Sequence, residues 1–221
     1  MAEQRFTFPR WANLALPTIA FVSLTAPLYM AIVVAYGFSP QATDVGYRPE
    51  QPIPFSHQLH AGELGVDCRY CHNTVEYTAH AAIPPTQTCM NCHSQIHPSS
   101  EKLAPLFESY ETGMPIEWVR VHDLPQYAYF NHSAHVTRGV SCVECHGRVD
   151  TMEIVFQHES LTMGWCLECH RDPGAHVRDP SLVTKLDWGL DISFEDLLAS
   201  SADWRAFNNL NPSQDCSTCH R

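Results

Sequence analysis

All ten cysteines of this 221-residue chain belong to one pattern, Cys-x-x-Cys-His, which occurs five times. This pattern is typical of c-type haem attachment, because two thiols one turn apart can both bond to one porphyrin while the adjoining histidine ligates the iron. The sequence therefore predicts five covalently bound haem c groups. The predicted thioether cysteines are Cys68, Cys71, Cys89, Cys92, Cys142, Cys145, Cys166, Cys169, Cys216 and Cys219. The predicted proximal iron ligands are His72, His93, His146, His170 and His220.

Other uses of cysteine fit this spacing poorly. Zinc ribbons use paired Cys-x-x-Cys knuckles, but five knuckles cannot be paired, and zinc does not require a histidine after every second cysteine. A thioredoxin-type redox pair would occur once, in a βαβ setting. Disulfides would not hold every cysteine to one spacing. The 13 basic and 24 acidic residues give a net charge of −11, which argues against a nucleic-acid partner, since binding phosphates requires a positive field.

The N-terminal part of the chain predicts a membrane anchor. Residues 11 to 43 contain no charged side chain, and the apolar run from Leu14 to Gly37 exceeds the roughly 20 residues that span a bilayer. Pro17 and Pro27 are compatible with a membrane helix if neighbouring groups satisfy the freed carbonyls. A cleaved signal peptide would have an apolar region of only about 7–15 residues. The interpretation is therefore a retained anchor over residues 11–37, followed by a linker over residues 38–50.

The charges that flank the apolar run predict its orientation. Arg5 and Arg10 precede the run and Asp44 follows it. By the positive-inside rule, residues 1–10 are cytoplasmic and the rest of the chain faces the other side. Haem attachment to this motif takes place in the bacterial periplasm or its equivalent, which agrees with that orientation. The prediction is a single-pass protein of the bacterial inner membrane with its haem region on the periplasmic side.

The haem region contains an internal repeat. Residues 51–60 match residues 126–135, and each copy carries the sequence Phe-x-His-x-x-His a short distance before a Gly-Val-x-Cys segment. This repeat predicts a first dihaem unit over residues 51–125 and a second unit over residues 126–221 that also carries the C-terminal fifth haem. Spacing of three on a helical turn points both histidines to one side, where each can reach a different iron. The predicted distal ligands are His57, His60, His132 and His135.

The fifth distal ligand stays open between several side chains. The candidates are His158, His122, His80 and Met163. A methionine thioether would raise the potential of its haem relative to two histidines, although packing against a porphyrin face is the simpler use of Met163. His97 and His176 follow a haem motif, and we expect them to contact only haem propionates or solvent.

Between the haem motifs, 16 prolines and 10 glycines interrupt any regular pattern. The sequence predicts a mainly irregular and α-helical fold with a few short helices, among them residues 99–110 and 193–207. Ser193 is the expected N-cap of the second of these helices. Few apolar residues remain for a conventional core, so the porphyrins are expected to supply the buried surface. We therefore predict that the protein without haem does not fold stably, and native circular dichroism of a cysteine-less variant would contradict this.

Nearly the whole chain resembles the pentahaem cytochrome c subunit of bacterial alternative complex III. The resemblance rests on the N-terminal anchor, the five haem motifs, and the stretches Pro54 to His72, Ile83 to His93, Trp118 to His135 and Met163 to Arg171. The Phe-x-His-x-x-His element is also similar to soluble multihaem cytochromes of the c3 and c7 type. That similarity implies that His57 serves the haem of His72, and His132 the haem of His146. The same similarity implies that His60 ligates the haem of His93 and that His135 ligates the haem of His170. It also favours His158 as a ligand of the C-terminal haem.

The resemblance to alternative complex III implies a role as an electron-transfer subunit with no catalysis of its own. Such a chain relays electrons within a quinol:electron-acceptor oxidoreductase. Its implied partners are an iron–sulfur subunit, polytopic quinol-binding membrane subunits, and a monohaem cytochrome c subunit or an external acceptor such as a soluble carrier or a terminal oxidase.

Two alternative functions remain. A catalytic multihaem reductase needs a five-coordinate haem, but the nine spare histidines are enough to close all five sites. A stand-alone quinol dehydrogenase of the NapC/NrfH type places its first haem next to the membrane helix. Here about 30 residues separate the apolar run from Cys68, which disfavours that type.

Overall fold

The structure is a computed structural model that describes residues 9 and 11–220. The chain divides into two compact units, one ending at Asp44 and the other beginning at Val45. The predicted boundary between residues 51–125 and residues 126–221 lies inside the second unit and stays a prediction.

The first unit contains the long helix α1, Ala12–Gly37. Its 26 residues extend over about 40 Å, more than the roughly 30 Å hydrocarbon core of a bilayer. None of its side chains is buried, and it is long and apolar enough to cross a membrane. The helix coincides with the predicted anchor and continues through Pro17 and Pro27. Arg5 and Arg10, on which the predicted orientation depends, lie outside the described residues.

The second unit is built from short helices and irregular segments. The α-helices of its described part are α2 Cys68–Cys71, α3 Thr86–His93, α4 Ala104–Thr112, α5 His132–Val136, α6 Val143–His146, α7 Met163–Arg171, α8 Phe194–Phe207 and α9 Cys216–Cys219. A π-helical turn covers Gln58–Glu63, and 3-10 turns cover Glu101–Leu103, Val149–Thr151, Gly174–His176 and Pro180–Leu182; a further 3-10 turn, Pro40–Thr43, belongs to the first unit. No strand forms within residues 11–220, where Val140 and Val177 make an isolated antiparallel bridge. The predicted mainly irregular and α-helical fold is therefore confirmed.

Side-chain caps explain where several of these helices begin. The Asp67 carboxylate accepts a hydrogen bond from the backbone N–H of Arg69 at the start of α2. Thr162 caps α7 in the same way, and Ser193 caps α8 by accepting from the N–H of Asp196, as the sequence predicts. The other predicted helix, over residues 99–110, forms as the turn Glu101–Leu103 followed by α4.

The apolar core of the second unit is small. Val75, Val136 and Val183 form its buried cluster, and Ala81 packs against them. Val183 is completely buried, but few other large apolar side chains are. A core of this size is weak for a unit that extends from Val45 to the C-terminal end. This agrees with the expectation that porphyrins supply much of the buried apolar surface.

The beginning of the second unit is tied to the segment before the fourth haem motif. The N–H of Gly46 donates to the carbonyl of Gln157, whose own N–H donates to the carbonyl of Tyr47. The guanidinium of Arg48 lies 4.9 Å from the ring centroid of Phe156. The C-terminal part of the predicted linker over residues 38–50 is therefore ordered against the haem region.

Candidate haem-binding sites

The five Cys-x-x-Cys-His motifs are named sites 1 to 5 in sequence order. At each site the cysteines lie on a helical turn, which brings the two thiols to one side of the backbone. At sites 1, 3 and 5 the N–H of the motif histidine donates to the carbonyl of the first cysteine, which closes the turn. None of the ten cysteines, all of which lie in the described part of the chain, forms a disulfide. The backbone thus presents each pair in the arrangement that attachment to one porphyrin requires.

Four of the five candidate proximal histidines are oriented by a backbone carbonyl that accepts from the ring Nδ1–H. The Nδ1 to oxygen distances are 2.9 Å for His72 and Ala82, 3.1 Å for His93 and Ile96, 2.6 Å for His170 and Ser213, and 3.0 Å for His220 and Tyr127. A ring whose Nδ1 carries the proton keeps the lone pair on Nε2 for a metal. The donor set therefore fits haem iron.

The two Phe-x-His-x-x-His segments have nearly the same ring geometry. The Phe55 ring meets His57 edge-on with centroids 4.8 Å apart, and it stacks on His60 at 4.3 Å. The Phe130 ring meets His132 edge-on at 4.8 Å and stacks on His135 at 4.5 Å. In each copy one phenylalanine contacts both candidate distal ligands. The sequence analysis assigned no function to Phe55 or Phe130, although the repeat conserves their position relative to the histidines.

Three of the four predicted distal histidines face a proximal histidine at one recurring distance. The ring centroids are 6.2 Å apart for His60 and His93, 6.4 Å for His132 and His146, and 6.1 Å for His135 and His170. A metal–nitrogen bond is about 2 Å long, so two imidazoles on opposite sides of one metal have centroids about 6 Å apart. The structure brings these rings together with the spacing that a bis-histidine iron requires.

His57 is the remaining predicted distal ligand, and the repeat relates it to site 1. Burial and the nearby rings of His72 and His60 lower the pKa of His57 to about 4. Its buried Nδ1 has no hydrogen-bond partner within the described residues. His72, which the resemblance to c3 and c7 cytochromes assigns to the same haem, is therefore close to His57.

Three of the paired histidines are in surroundings that favour their neutral form. Burial is the main cause that lowers the pKa values of His132 and His135. Burial and the surrounding histidines, His122 and His132 first, lower the pKa of His146 to about 3. Neutral imidazole is the form that ligates a metal. Each of these rings can therefore bind iron at neutral pH without first losing a proton.

The candidates for the fifth distal position lie in different surroundings. His158 packs on Gly147, where an added Cβ would lie 2.6 Å from the imidazole ring, and its Nε2 is 3.6 Å from a carboxylate oxygen of Glu159. The His122 ring is 4.4 Å from that of His146, too close for two ligands on opposite sides of one iron. Met163 is 64% exposed at the start of α7. The carbonyl of His80 accepts from two threonine hydroxyls, those of Thr74 and Thr78. The fifth distal ligand, at site 5, therefore stays a prediction.

Site 3 carries a cluster of charged side chains that the sequence analysis did not predict. Glu144, inside the motif, accepts hydrogen bonds from Arg178 at 2.6 Å and from Nδ1 of His176 at 2.7 Å. The guanidinium of Arg178 is nearly buried and lies over the ring of Trp188. His176, expected to contact only propionates or solvent, thus contacts a carboxylate of the chain. His97 adopts a positive φ of 53° after site 2.

Helical Cys-x-x-Cys-His turns, histidine rings paired at about 6 Å and a mainly irregular fold define a multihaem cytochrome c of the electron-transfer type. The comparisons agree with this class. Residues 128–221, less than half of the chain, match the family described as cytochrome c7 and related cytochrome c. A stretch of 124 residues, 55% of the chain, is 34% identical to the menaquinone reductase, multiheme cytochrome c subunit, of Nitratidesulfovibrio vulgaris. The match covers 58% of the length of that relative.

Proposed function

We propose that this chain is a membrane-anchored pentahaem cytochrome c that relays electrons inside a quinone-linked oxidoreductase complex. The observation that carries the proposal is the recurring spacing of about 6 Å between paired histidine rings, seen for His60 and His93, for His132 and His146, and for His135 and His170. Two histidines on one iron leave no position for a substrate. That favours electron relay over a catalytic multihaem reductase.

The side chains of the chain have separate tasks in such a relay. Haem bound at the sites supplies one-electron exchange. The carbonyls of Ala82, Ile96, Ser213 and Tyr127 fix the tautomer of their proximal histidines. Phe55 and Phe130 hold two distal histidines each. We assign His57 to site 1 and His158 to site 5.

The complex we favour is of the alternative complex III type. The support is the single anchor α1, the five haem motifs, and the resemblance of nearly the whole chain to the pentahaem subunit of that complex. The partners would be an iron–sulfur subunit, polytopic quinol-binding subunits and a monohaem cytochrome c subunit, with a soluble carrier or terminal oxidase as a further acceptor. The haem region would lie on the periplasmic side of the inner membrane.

A second candidate is the cytochrome subunit of a menaquinone reductase. The relative from Nitratidesulfovibrio vulgaris carries that name and is 34% identical over 124 residues. Both candidates are relays in a quinone-linked complex, but they carry electrons in opposite directions. In the first the haems accept electrons that originate from quinol. In the second they donate electrons that reduce menaquinone.

Purification of the intact complex from native membranes tests the proposal. We expect five haems per chain, ferric spectra with only low-spin signals, and subunits with the quinol-binding and iron–sulfur character described above. Quinol added to the oxidised complex should reduce the haems faster than reduced haems pass electrons to quinone. The opposite ratio would favour the menaquinone reductase. A high-spin haem that binds nitrite or hydroxylamine would contradict electron relay as the sole function.

A further inference from the structure

Each Phe-x-His-x-x-His turn joins two haem sites. His60 pairs with His93 of site 2, while His57, three residues earlier on the same turn, is assigned to site 1. In the second copy His132 pairs with His146 of site 3, and His135 pairs with His170 of site 4. The two histidines of a turn contact the same phenylalanine ring. Site 1 is therefore next to site 2, and site 3 is next to site 4.

Sites 1 and 3 meet at their first cysteines. The Cys68 and Cys142 thiols lie close enough that each changes the pKa of the other, which is lowered for Cys68 and raised for Cys142. Two consecutive residues hold the sites together, because Val183 accepts from the N–H of Cys142 at 3.2 Å and Thr184 donates to the Asp67 cap of α2 at 3.0 Å. These contacts join a site of the first repeat to a site of the second.

The distal side of site 1 also lies against the end of site 3. The turn Gln58–Glu63 packs on Val149–Thr151, which follows α6. An added Cβ at Gly62 would lie 2.2 Å from the carbonyl oxygen of Asp150, so only glycine permits this approach. Sites 1 and 3 are therefore in contact both near their cysteines and through the turn that carries the distal histidines of the first repeat.

Sites 4 and 5 are joined through the segment that precedes α9. His170 of site 4 donates from Nδ1 to the carbonyl of Ser213 at 2.6 Å. The Ser213 hydroxyl also lies 2.9 Å from that of Thr218, inside the site 5 motif. Burial and the nearby Cys219 thiol raise the pKa of the Cys166 thiol.

Exposure separates the ends of this series from its middle. Cys92 of site 2 and Cys216 of site 5 are exposed, whereas the other eight cysteines are partly buried. At site 3 the rings of His122 and His132 both lie beside His146. The two sites with exposed cysteines are the same two that have one neighbour each in the contacts above.

We propose that the five sites follow one another in space in the order 2–1–3–4–5, and that redox partners exchange electrons with the chain at the two ends, sites 2 and 5. The order differs from the order along the sequence, and it makes site 3 the obligatory middle of the relay. This inference rests on the proposed function, since it assumes that all five motifs carry haem and that His57 serves site 1.

Iron positions in an experimental structure of the holoprotein in its complex give the direct test. We expect the iron–iron distances for the pairs 2–1, 1–3, 3–4 and 4–5 to be shorter than the distance for any other pair. The haem edges of sites 2 and 5 should be the ones that face neighbouring cofactors. An iron pair such as 2–3 or 1–5 closer than one of the four, or a partner cofactor nearest site 3, would overturn the order. Fewer than five haems would instead overturn the proposed function.

A second test works in solution with matched variants. His60→Met changes the haem of end site 2, and His132→Met changes the haem of middle site 3. Since the interaction between charges falls with distance, a changed haem shifts the potentials of its neighbours most. In a titration monitored by electron paramagnetic resonance, we expect His60→Met to shift one other haem and His132→Met to shift two. Equal numbers of shifted haems in the two variants would contradict the proposed order.

Discussion

The two Phe-x-His-x-x-His turns have the same ring geometry on different backbones. In the first copy His57 is followed by the π-helical turn Gln58–Glu63, whereas in the second copy His132 begins the α-helix α5. The phenylalanine–histidine centroid distances nevertheless agree within a few tenths of an ångström. The phenylalanine, more than the type of helix, therefore sets the positions of the distal ligands.

The two turns also differ in their hydrogen-bond partners, which in each case belong to the other repeat. The first turn is held by the second repeat, because the N–H of Gln58 donates to the carbonyl of Met152 and the Ser56 hydroxyl donates to Glu153. The second turn is held by the first repeat, because both the N–H and the Nδ1–H of His132 donate to the carbonyl of Ala79. Neither repeat is therefore expected to fold without the other.

The largest expected effect is the difference between losing haem attachment at site 3, in the middle of the series, and losing it at site 2, at one end. Cys142→Ala with Cys145→Ala removes attachment at site 3, where both repeats meet, and we expect no stable folded protein to accumulate. Cys89→Ala with Cys92→Ala removes attachment at site 2, and we expect a folded protein with four haems. Mass spectrometry and near-ultraviolet circular dichroism measure haem number and fold. Equal yields of folded protein from both variants would show that site 3 is not central to folding.

The next effect concerns the potentials of the two copies. His57→Met and His132→Met replace the first distal histidine of each turn with a thioether. Each is expected to raise the potential of one haem, by an amount well within the about 0.8 V that axial ligands cover. Potentiometric titration measures the change. His97→Asn is the control, since asparagine tolerates the positive φ at this position and His97 is not expected to ligate iron. An unchanged potential in His57→Met would mean that His57 does not ligate site 1.

A smaller effect is expected when the aromatic clamps are weakened. Phe55→Leu and Phe130→Leu keep an apolar side chain but remove two ring contacts each, so each should lower the free energy of unfolding by about 1–2 kcal/mol. Both variants should also broaden the low-spin signals of two haems. Phe194→Leu, at a position 68% exposed, is the matched control and should change stability by less than about 0.5 kcal/mol. Denaturant unfolding with spectroscopic detection measures both losses. A loss in only one of the two variants would show that the phenylalanine holds the histidines in only one copy of the repeat.

The smallest effect is the pH response of the charged groups at sites 1 and 3. The hydrogen bond to Glu144 raises the pKa of His176. The stability that this pair contributes is therefore fully present below about pH 6.5 and is lost as pH rises through the raised pKa. His176→Gln should remove that pH dependence at a cost below about 1 kcal/mol, because the His176 side chain is half-exposed.

Site 1 provides the opposite response as a control. Hydrogen bonds from Arg69 lower the pKa of Asp67 to about 2. Its contribution is present above the ordinary pKa of 3.8 and is lost as pH falls towards 2. Between pH 5 and pH 8, the plot of the free energy of unfolding against pH should therefore have a different shape for His176→Gln than for the unmodified protein. The plot for Asp67→Asn should stay parallel to that of the unmodified protein. Parallel plots for both variants would show that the pair of His176 and Glu144 adds no pH-dependent stability.

The features of the sites that can be predicted from the sequence are the local ones. The spacing of the ten cysteines follows from covalent chemistry, and each motif is complete within five consecutive residues. The helix caps at Ser193 and the apolar run of α1 are equally local. Even the pairing of His60 with the second site, and of His135 with the fourth, follows from the similarity of the turns to known multihaem cytochromes. The corresponding rings lie 6.2 Å and 6.1 Å apart.

The remaining features depend on contacts between distant parts of the chain. His132 donates to Ala79, which is 53 positions away, and Glu144 accepts from Arg178, which is 34 positions away. Neither contact leaves a periodic pattern in the sequence. The fifth distal ligand is not predictable for the same reason, since His158, His122 and His80 are all at plausible distances along the chain. The clamping role of Phe55 and Phe130 could have been inferred, because both copies of the repeat contain the residue.

The close approach of Gly62 to Asp150 is possible only because Gly62 has a hydrogen atom where other residues have a Cβ, and this approach sets the distance between sites 1 and 3. Replacing that hydrogen with a methyl group would set a carbon 2.2 Å from the Asp150 oxygen, and no rotamer change can relieve a clash with a Cβ. The backbone would have to retreat and carry His57 and His60 with it. Electron tunnelling slows steeply with each added ångström, so alanine at this position would slow electron transfer between sites 1 and 3 without replacing any iron ligand.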